Sequence, residues 1–212
     1  MQLEQIYTHI DHTVLKQTTT WEQVKKLCDE AINGKAASVC IPPCYVAKAK
    51  EYVNGAMPIC TVIGFPNGYQ TTMVKLVETK EALSNGADEI DMVINLCDVK
   101  NGEWDKVSHE IKALKHACGK RVLKVIVETC FLTEEEKIRL CNIVTDVKAD
   151  YIKTSTGFGT SGATVEDVKL FRKECGSDVK IKAAGGIRTE ADAKTMLEAG
   201  ADRLGSSALL SC

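Results

Sequence analysis

The sequence predicts a single (β/α)8 barrel, or TIM barrel, formed as one domain by residues 1–212. Eight short segments rich in Val and Ile alternate with segments whose apolar residues follow helical spacing, which is the pattern of parallel strand–helix units. Eight such units close into a barrel that needs about 250 residues, and at least about 200. The phrase Asn85-Gly-Ala-Asp88 recurs as Ala199-Gly-Ala-Asp202, as expected for an iterated unit. The alternative architecture is a doubly wound open sheet.

Turn and capping signals delimit the first four predicted strands, which are residues 10–14, 37–41, 59–65 and 89–95. The run Thr18-Thr-Thr-Trp-Glu22 opens a helix that stops at Asn33-Gly34. Pro42-Pro43 ends the second strand, and a helix follows it. The third strand ends in Pro66-Asn-Gly68, which is typical of a turn.

The second half of the chain repeats this alternation, with strands predicted at residues 121–128, from 151, at 179–184 and at 203–205. One long amphipathic helix is predicted between the fourth strand and about Ala117. Thr133 and Glu136 form a capping box that opens the helix after strand five. Thr164 and Thr189 occupy the equivalent first positions of the next two helices.

Composition and charge exclude several classes of function. The chain is 44% hydrophobic and 26% charged, as in ordinary globular proteins, and its formal net charge is −2. This charge offers no general attraction for nucleic acid or an anionic membrane. No segment approaches the roughly 18 consecutive apolar residues of a membrane span, and the N-terminus does not resemble a signal peptide. We therefore expect a cytoplasmic protein with neither nucleic acid nor membrane as a partner. The sequence does not determine the oligomeric state and is compatible with a homodimer.

The ten cysteines are interpreted as reduced thiols. No pair has the CxxC spacing, and no histidine lies at a zinc-finger spacing from a cysteine. Several of them, including Cys60, lie inside apolar patterns, where cysteine acts as a small hydrophobic residue in a reducing compartment. The sequence therefore predicts neither a metal site nor a bound cofactor.

One lysine, Lys153, lies in the middle of the sixth predicted strand. Such a lysine is usually solvated on an isolated strand, but helices cover the outer face of a parallel barrel. Because successive side chains alternate, charged residues must point inward where the outward positions are apolar. The inward set comprises Asp91 on strand four, Lys124 and Glu128 on strand five, Lys153 on strand six and Lys182 on strand seven.

Lys153 and Lys182 are expected to influence each other's charge, because adjacent strands are about 4.8 Å apart. A second ammonium group and dry surroundings both penalise protonation of Lys153, and these conditions make a lysine amine nucleophilic near neutral pH. Asp91 would balance the excess positive charge and carry protons. The alternative is a structural ion network inside the barrel, since such networks also perturb charged groups.

A second signal indicates phosphate binding. In barrels of this kind an anion site is often built from the loops after strands seven and eight and from a helix N-terminus. Here these loops are Gly185-Gly-Ile-Arg188 and Gly205-Ser-Ser207, which offer backbone N–H groups, hydroxyls and a guanidinium. Gly157, in the loop after strand six, adds a further amide. A Gly-Gly pair alone also suits an ordinary turn, but the two loops together predict a phosphorylated ligand.

Five stretches of the chain match motifs of one known family. Three of them are Glu89-Ile-Asp-Met-Val-Ile-Asn95, Tyr151-Ile-Lys-Thr-Ser-Thr-Gly157 and Lys180-Ile-Lys-Ala-Ala-Gly-Gly-Ile-Arg188. The others are Gly64-Phe-Pro-Asn-Gly68 and Leu123-Lys-Val-Ile-Val-Glu-Thr129. The chain thereby resembles the deoxyribose-phosphate aldolases over nearly its whole length. The resemblance implies a metal-free class I aldolase whose partners are a phosphosugar and aldehydes, and which cleaves 2-deoxy-D-ribose 5-phosphate to acetaldehyde and D-glyceraldehyde 3-phosphate.

The resemblance also implies roles for individual residues. Lys153 matches the lysine that forms the Schiff base, Lys182 the lysine that perturbs it, and Asp91 the carboxylate of a proton relay. Asp11 and Cys40 match positions that line the family's pocket. The residues that match the phosphate-binding loops are Gly157, Gly185, Gly186, Arg188, Gly205, Ser206 and Ser207.

The sequence departs from the family in one respect and leaves other reactions open. Some members carry a longer C-terminal tail with a tyrosine, whereas this chain has no tyrosine after Tyr151, so no role for such a tail is expected. The alternatives are another Schiff-base sugar-phosphate aldolase or transaldolase, a phosphosugar isomerase, and a non-catalytic phosphate-binding barrel. An isomerase would need a carboxylate base and would survive replacement of Lys153 by arginine.

Overall fold

The computed structural model describes residues 3–210 and shows a closed barrel of eight parallel strands. Each strand pairs with its neighbours in sequence, and the first also pairs with the eighth, with Asp11 in register with Gly205. The strands are β1 (Ile10–Thr13), β2 (Ser38–Ile41), β3 (Ile59–Ile63), β4 (Glu89–Val93), β5 (Val122–Ile126), β6 (Tyr151–Lys153), β7 (Lys180–Ala184) and β8 (Arg203–Ser206). This closure confirms the predicted (β/α)8 barrel and excludes the open sheet.

One short helix precedes β1, and the other helices connect successive strands. They are α1 (Leu3–Tyr7), α2 (Trp21–Asn33), α3 (Val46–Val53), α4 (Thr72–Ser84), α5 (Leu96–Lys100), α6 (Trp104–Cys118), α7 (Glu134–Val147), α8 (Val165–Glu174) and α9 (Glu190–Glu198). Short 3₁₀ turns follow β2 at Pro43–Tyr45 and β5 at Thr129–Phe131. Within residues 3–210, no helix has both the length and the apolar character that crossing a bilayer would require.

Threonine caps fix the starts of several helices, as the sequence predicts. At α7 the Thr133 hydroxyl accepts a hydrogen bond from the Glu136 backbone N–H (3.2 Å), while the Thr133 N–H donates to the Glu136 carboxylate (2.8 Å). Thr20 and Thr189 begin α2 and α9 with the same reciprocal pair, and Thr164 caps α8. Each cap of this type stabilises its helix by about 0.5–2 kcal/mol.

The structure corrects two of the predicted elements and adds one. The single long helix predicted after β4 is wrong, because the chain leaves α5 through Gly102 at a φ of 70° and only then begins α6. Strand β5 ends at Ile126, and Glu128 takes a left-handed conformation that removes it from the alternation of the strand. The five-residue helix α1 was not predicted.

The outward face of the strands is apolar, and it packs into the core beneath the helices. Ile90, Val125, Ile152 and Ile181 are fully buried and belong to one continuous apolar cluster. Burying a side chain of this size contributes about 1.5–3 kcal/mol. The charged residues of the same strands occupy the opposite, inward face, so the barrel interior is where the predicted site must lie.

Candidate active site

A cavity of about 380 Å³ lies at the carboxyl ends of the strands. Its wall is formed by Lys153 and by segments at the ends of β1, β6, β7 and β8. The wall includes every residue predicted to bind phosphate, namely Gly157, Gly185, Gly186, Arg188, Gly205, Ser206 and Ser207. The structure therefore brings the predicted lysine and the predicted phosphate loops to one cavity, at the end of the barrel where such folds carry their sites.

Lys153 is the last residue of β6 and is only 3% exposed. Its Cα is in register with that of Lys182 on β7. The Lys153 Nζ donates to Asp91 Oδ2 at 2.7 Å, and the Lys182 Nζ donates to the same oxygen at 2.8 Å. Two lysines thus share one carboxylate oxygen, which is the proximity that the strand alternation predicts.

Lys182 is fully buried between two carboxylates. Its Nζ donates to Asp91 and, through a short hydrogen bond, to Asp11. Burial opposes charge on Lys182, but the two carboxylates outweigh burial and hold the pKa of its ammonium group above the ordinary value. Lys182 therefore remains a cation beside the end of β6.

Asp91 is the centre of the network. Its Oδ1 accepts hydrogen bonds from the Lys124 Nζ (2.8 Å) and the Cys60 thiol (3.1 Å). Its Oδ2 accepts hydrogen bonds from Lys153 and Lys182. Burial favours the neutral acid, but the three lysines hold the pKa of Asp91 well below its ordinary value. One ionised carboxylate therefore lies among three amino groups.

A deeper layer of charges supports this centre from below. The Lys124 Nζ lies 2.5 Å from a Glu89 carboxylate oxygen, and an Arg203 guanidinium nitrogen lies 2.5 Å from Asp11 Oδ1. Burial raises the pKa of Asp11, but Lys124, Lys182 and Arg203 outweigh burial and hold this pKa well below the ordinary value. Sequence reasoning missed Glu89 and Arg203, although both lie at inward positions that the alternation on β4 and β8 would have identified.

The structure corrects the expected positions of Asp11 and Cys40. Both are fully buried, and neither belongs to the cavity wall. Asp11 points inward two residues before Thr13, which does line the cavity, so its carboxylate lies one layer deeper. Cys40 is in register with Cys60 on the neighbouring strand, and the two side chains pack with Val62 in a small apolar cluster. The two residues back the site instead of lining it.

Part of the cavity wall was not predicted. The residues missed by sequence reasoning are Thr13, Val14, Leu15, Lys16, Thr156, Phe158, Ala184 and Ile187. All of them lie at or just beyond the carboxyl end of a strand, and this position is the only signal in the sequence that could have identified them. Lys16 is exposed and adds a second cation, besides Arg188, at the rim of the cavity.

Ser206 holds together the two loops of the predicted anion site. Its hydroxyl donates to the Ile187 carbonyl at 2.9 Å and accepts from the Ala208 N–H at 3.2 Å, so it joins the loops after β7 and β8. Arg188 is exposed, and its backbone N–H is held by the Asp192 carboxylate at 3.1 Å at the start of α9. The site therefore combines a fixed backbone with a guanidinium at the rim.

Burial alone does not distinguish Lys153. Lys75 on α4 is also fully buried, and its Nζ donates to Glu110 (2.7 Å) and to the Val93 carbonyl (2.8 Å), away from the cavity. The buried lysines among residues 3–210 are Lys75, Lys124, Lys153 and Lys182. Of these four, Lys153 is the one that lines the cavity, so its amine is the one that a ligand there can reach.

The buried carboxylates are poorly suited to hold a metal ion. Two sets of side chains have ligand-like spacing, Cys40 with Cys60 and Asp91, and Asp11 with Cys60 and Glu89. In both sets, however, the carboxylates already bind lysine or arginine nitrogens at short distances. A divalent cation would have to displace these groups or lie against their positive charge.

Comparisons with known proteins agree with this geometry. A model of the DeoC/LacD family aldolases matches residues 6–210. The chain is 57% identical over 207 residues to the deoxyribose-phosphate aldolase of Clostridioides difficile, and this alignment covers 98% of this chain and 94% of the relative. It is 56% identical over 210 residues to the enzyme of that name from Streptococcus pyogenes, covering 99% of this chain and 94% of the relative. A tetrameric deoxyribose phosphate aldolase from Aeropyrum pernix has a TM-score of 0.91 at 31% identity, covering 99% of this chain and 89% of the other. These matches confirm the resemblance found in the sequence, and the chain belongs to the DeoC/LacD family of aldolases.

Proposed function

We propose that this chain is a class I aldolase, a lyase that cleaves 2-deoxy-D-ribose 5-phosphate reversibly to D-glyceraldehyde 3-phosphate and acetaldehyde. The observation that carries the proposal is the Lys153 amine, which reaches the cavity while sharing Asp91 with Lys182. The relatives named deoxyribose-phosphate aldolase support the choice of substrate. The glycine-rich loops in the same cavity support a phosphorylated one.

The reaction begins when the neutral amine of Lys153 attacks C1 of the open-chain sugar phosphate. The resulting carbinolamine loses water and becomes an iminium ion, which is the electron sink of a class I aldolase. Lys182 lies on the next strand as a cation, and it shares Asp91 Oδ2 with the Lys153 amine.

Carbon–carbon cleavage follows from the iminium ion. A base removes the proton of the C3 hydroxyl, the C2–C3 bond breaks, and its electron pair moves into the C1–C2 bond to form an enamine on Lys153. D-Glyceraldehyde 3-phosphate leaves, C2 of the enamine is protonated, and hydrolysis releases acetaldehyde and the free lysine. A water or side chain linked to Asp91 and Lys182 transfers these protons. Asp91 accepts a hydrogen bond from the Lys153 Nζ, and Lys182 donates to the same Asp91 oxygen.

Asp91 stabilises positive charge at the Lys153 nitrogen. It lies 2.7 Å from that nitrogen, and its lowered pKa keeps it ionised while the nitrogen becomes part of an iminium ion. A fixed charge in a buried site stabilises a developing charge more strongly than water does, because little reorganisation is needed. The carboxylate therefore assists the step in which the amine becomes a cationic imine.

The phosphate group supplies binding energy remote from the breaking bond. The loop amides and Arg188 hold the dianion, which positions C1 at Lys153. Helix α9 begins at Glu190, two residues after Arg188, and its N-terminus favours a negative charge nearby. These features explain why a phosphorylated sugar would be preferred over the free sugar.

Replacing Lys182 with leucine is expected to raise the pH required for imine formation. The substitution replaces the cation that shares Asp91 Oδ2 with Lys153 by an apolar side chain, and a nearby like charge disfavours the charged form of an amine. The acid limb of the kcat/KM profile measures the shift. An unchanged profile would show that Lys182 does not tune Lys153.

Replacing Arg188 with alanine is expected to weaken binding of the phosphorylated substrate and not the chemistry. Arg188 is exposed at the rim, so one charged contact in this position is worth about 1 kcal/mol, or about a 5-fold rise in KM. Steady-state kinetics with 2-deoxy-D-ribose 5-phosphate and with free 2-deoxy-D-ribose check this. KM for the free sugar should not change. An equal rise in KM for both substrates would show that Arg188 does not bind the phosphate group.

The proposed reaction is tested against the other Schiff-base reactions by the choice of donor. Acetaldehyde and dihydroxyacetone are each offered with D-glyceraldehyde 3-phosphate, and the products are identified by mass spectrometry. We expect 2-deoxy-D-ribose 5-phosphate from acetaldehyde and no product from dihydroxyacetone. Preference for dihydroxyacetone would indicate a transaldolase or a different sugar-phosphate aldolase, and no product from either would indicate a barrel that only binds phosphate.

We also propose a cytoplasmic homodimer. The nine cysteines that the structure describes are free thiols, which fits a reducing compartment. Helix α4 exposes Met73, Val74 and Val77, and an exposed apolar surface of this kind often forms contacts between subunits. Sedimentation velocity measures the oligomeric state directly, and a monomer at assay concentration would contradict the homodimer.

A further inference from the structure

Glu128 combines two unusual features just beyond the end of β5. Its backbone is in the left-handed region, at a φ of 56° and a ψ of 68°, which a residue with a side chain rarely adopts. Its side chain ends in a carboxyl group, and yet the residue is only 3% exposed. Backbone conformations of this kind persist only where surrounding contacts enforce them, and they cluster at functional sites.

The side chain of Glu128 forms its hydrogen bonds with the loop after β6 (residues 154–164). One carboxylate oxygen accepts the backbone N–H of Thr156 at 3.1 Å, and the other accepts the Thr156 hydroxyl through a short hydrogen bond. The same hydroxyl accepts the backbone N–H of Phe158 at 3.0 Å. No cation among residues 3–210 forms an ion pair with Glu128, so its partners are donors of this loop.

The packing around Glu128 shows that the loop is held tightly. A Cβ added to Gly159 would lie 2.7 Å from the Cys130 Sγ and 3.2 Å from the Glu128 carboxyl carbon. The backbone N–H of Thr129 also donates to the Thr154 carbonyl at 2.9 Å. The segment after β5 and the loop after β6 therefore form one unit, with the Glu128 side chain between them.

The loop held by Glu128 forms one wall of the cavity. Thr156, Gly157 and Phe158 all line it, whereas Glu128 does not. Gly157, at a φ of 87°, lies between Thr156, which Glu128 holds, and Phe158, whose backbone N–H the Thr156 hydroxyl holds. Lys153 is held separately, by β-sheet pairing and by Asp91.

We propose that Glu128 is a positioning residue that fixes the loop after β6 and thereby presents Gly157 to the phosphate group of the substrate. The inference rests on the proposed function, and it assigns to this carboxylate an effect on phosphate recognition rather than on the amine. Glutamine is a poorer partner, because a carboxylate accepts from both Thr156 donors, whereas one end of the amide is itself a donor and faces the Thr156 hydroxyl with the wrong polarity. A loop released from Glu128 would bind the phosphate less well.

The test compares Glu128→Gln with Glu110→Gln. Glu110 is also 3% exposed, but it pairs with Lys75 away from the cavity, so its loss reports the general cost of removing a buried carboxylate. For Glu128→Gln we expect KM for 2-deoxy-D-ribose 5-phosphate to rise on the order of 10-fold. The loss of kcat/KM with free 2-deoxy-D-ribose should be several-fold smaller. Glu110→Gln should show no such split between the substrates.

A second variant removes the other partner. Thr156→Val deletes the hydroxyl that joins Glu128 to Phe158, and it should reproduce the same split. The double variant should be little worse than either single one, because the two side chains act through one contact. Equal losses on both sugars, or additive effects of the two changes, would overturn the positioning role.

Binding of inorganic phosphate separates this inference from the proposed function. Calorimetry on the unmodified chain and on Glu128→Gln should show phosphate affinity falling on the order of 10-fold, whether or not the sugar is cleaved. If the unmodified chain does not cleave 2-deoxy-D-ribose 5-phosphate, the proposed function fails while this measurement still decides the role of Glu128. If cleavage is normal and phosphate affinity is unchanged in the variant, only the inference about Glu128 fails.

Discussion

Replacing Lys153 with arginine is expected to lower kcat by at least about 10⁴-fold, the order of effect seen when a covalent nucleophile is removed. Arginine places a fixed positive charge beside Asp91, which lies 2.7 Å from the Lys153 nitrogen and which faces a cation in the iminium ion as well. Its guanidinium does not deprotonate in proteins and cannot form the imine. The substitution therefore removes the nucleophile and leaves a cation in its place, and steady-state turnover of 2-deoxy-D-ribose 5-phosphate measures the loss.

Lys75 provides the matched control for this substitution. It is fully buried and ion-paired like the lysines of the barrel interior, but it lies away from the cavity. Lys75→Arg should keep its activity, and any loss of stability from fitting a guanidinium into a buried lysine site will appear in it as well. Turnover retained by Lys153→Arg would point instead to an isomerase-like reaction with a carboxylate base.

Replacing Asp91 with asparagine is expected to reduce both activity and stability. The fully buried Asp91 carboxylate is the shared partner of Lys124, Lys153 and Lys182. Removing one partner of a buried charge network leaves the others uncompensated, at a cost of about 3–5 kcal/mol in the free energy of unfolding. The iminium ion also loses its fixed counter-charge, so we expect kcat to fall by roughly 10²–10³-fold.

The pH dependence of stability checks the charge state of Asp91. A carboxylate whose folded-state pKa is depressed contributes stability that is complete above its unfolded pKa and is lost as pH falls through the folded value. The pKa of Asp91 lies well below 3.8, so its contribution is complete above that pH and declines below it. Chemical denaturation of Asp91→Asn should therefore show a shallower loss of stability below pH 3.8 than the unmodified chain.

The basic residues of the same network set its alkaline limit. Lys182 has a folded-state pKa above 10.5, so its contribution to stability is complete below pH 10.5 and is lost as pH rises through the higher folded value.

Glu110→Gln is the control for Asp91→Asn, since it breaks a buried ion pair outside the cavity. The control should lose stability but not kcat. Parallel acid curves for Asp91→Asn and the unmodified chain would contradict an ionised Asp91.

The barrel and the meeting of its charged residues could be predicted because both depend on local alternation. Outward residues such as Ile152 are apolar, so inward residues such as Lys153 must meet in the interior, and neighbouring strands bring Asp91 and Lys182 there. The phosphate loops were predicted because their position after β7 and β8 is a property of the fold. The catalytic and binding roles of these residues stay predictions that the substitutions above test.

What the sequence did not indicate arises from closure and from local exceptions. Asp11 meets Lys182 across 171 residues because β1 pairs with β8, and no periodicity within a segment predicts that contact or the depth at which Asp11 lies. Glu128 leaves the alternation because its backbone is left-handed, so its expected place beside Lys124 is wrong. The break at Gly102 similarly divides a helix that its apolar spacing alone would continue.

The measurement that tests the central claim most directly is reduction with borohydride in the presence of acetaldehyde, followed by peptide mass mapping. Borohydride converts a Schiff base into a stable secondary amine, so the modified lysine carries an ethyl group. We predict one ethylated residue, Lys153, and loss of labelling in Lys153→Arg. An ethyl group on Lys124, Lys182 or any other lysine, with Lys153 unmodified, would contradict the assignment of the nucleophile and the mechanism built on it.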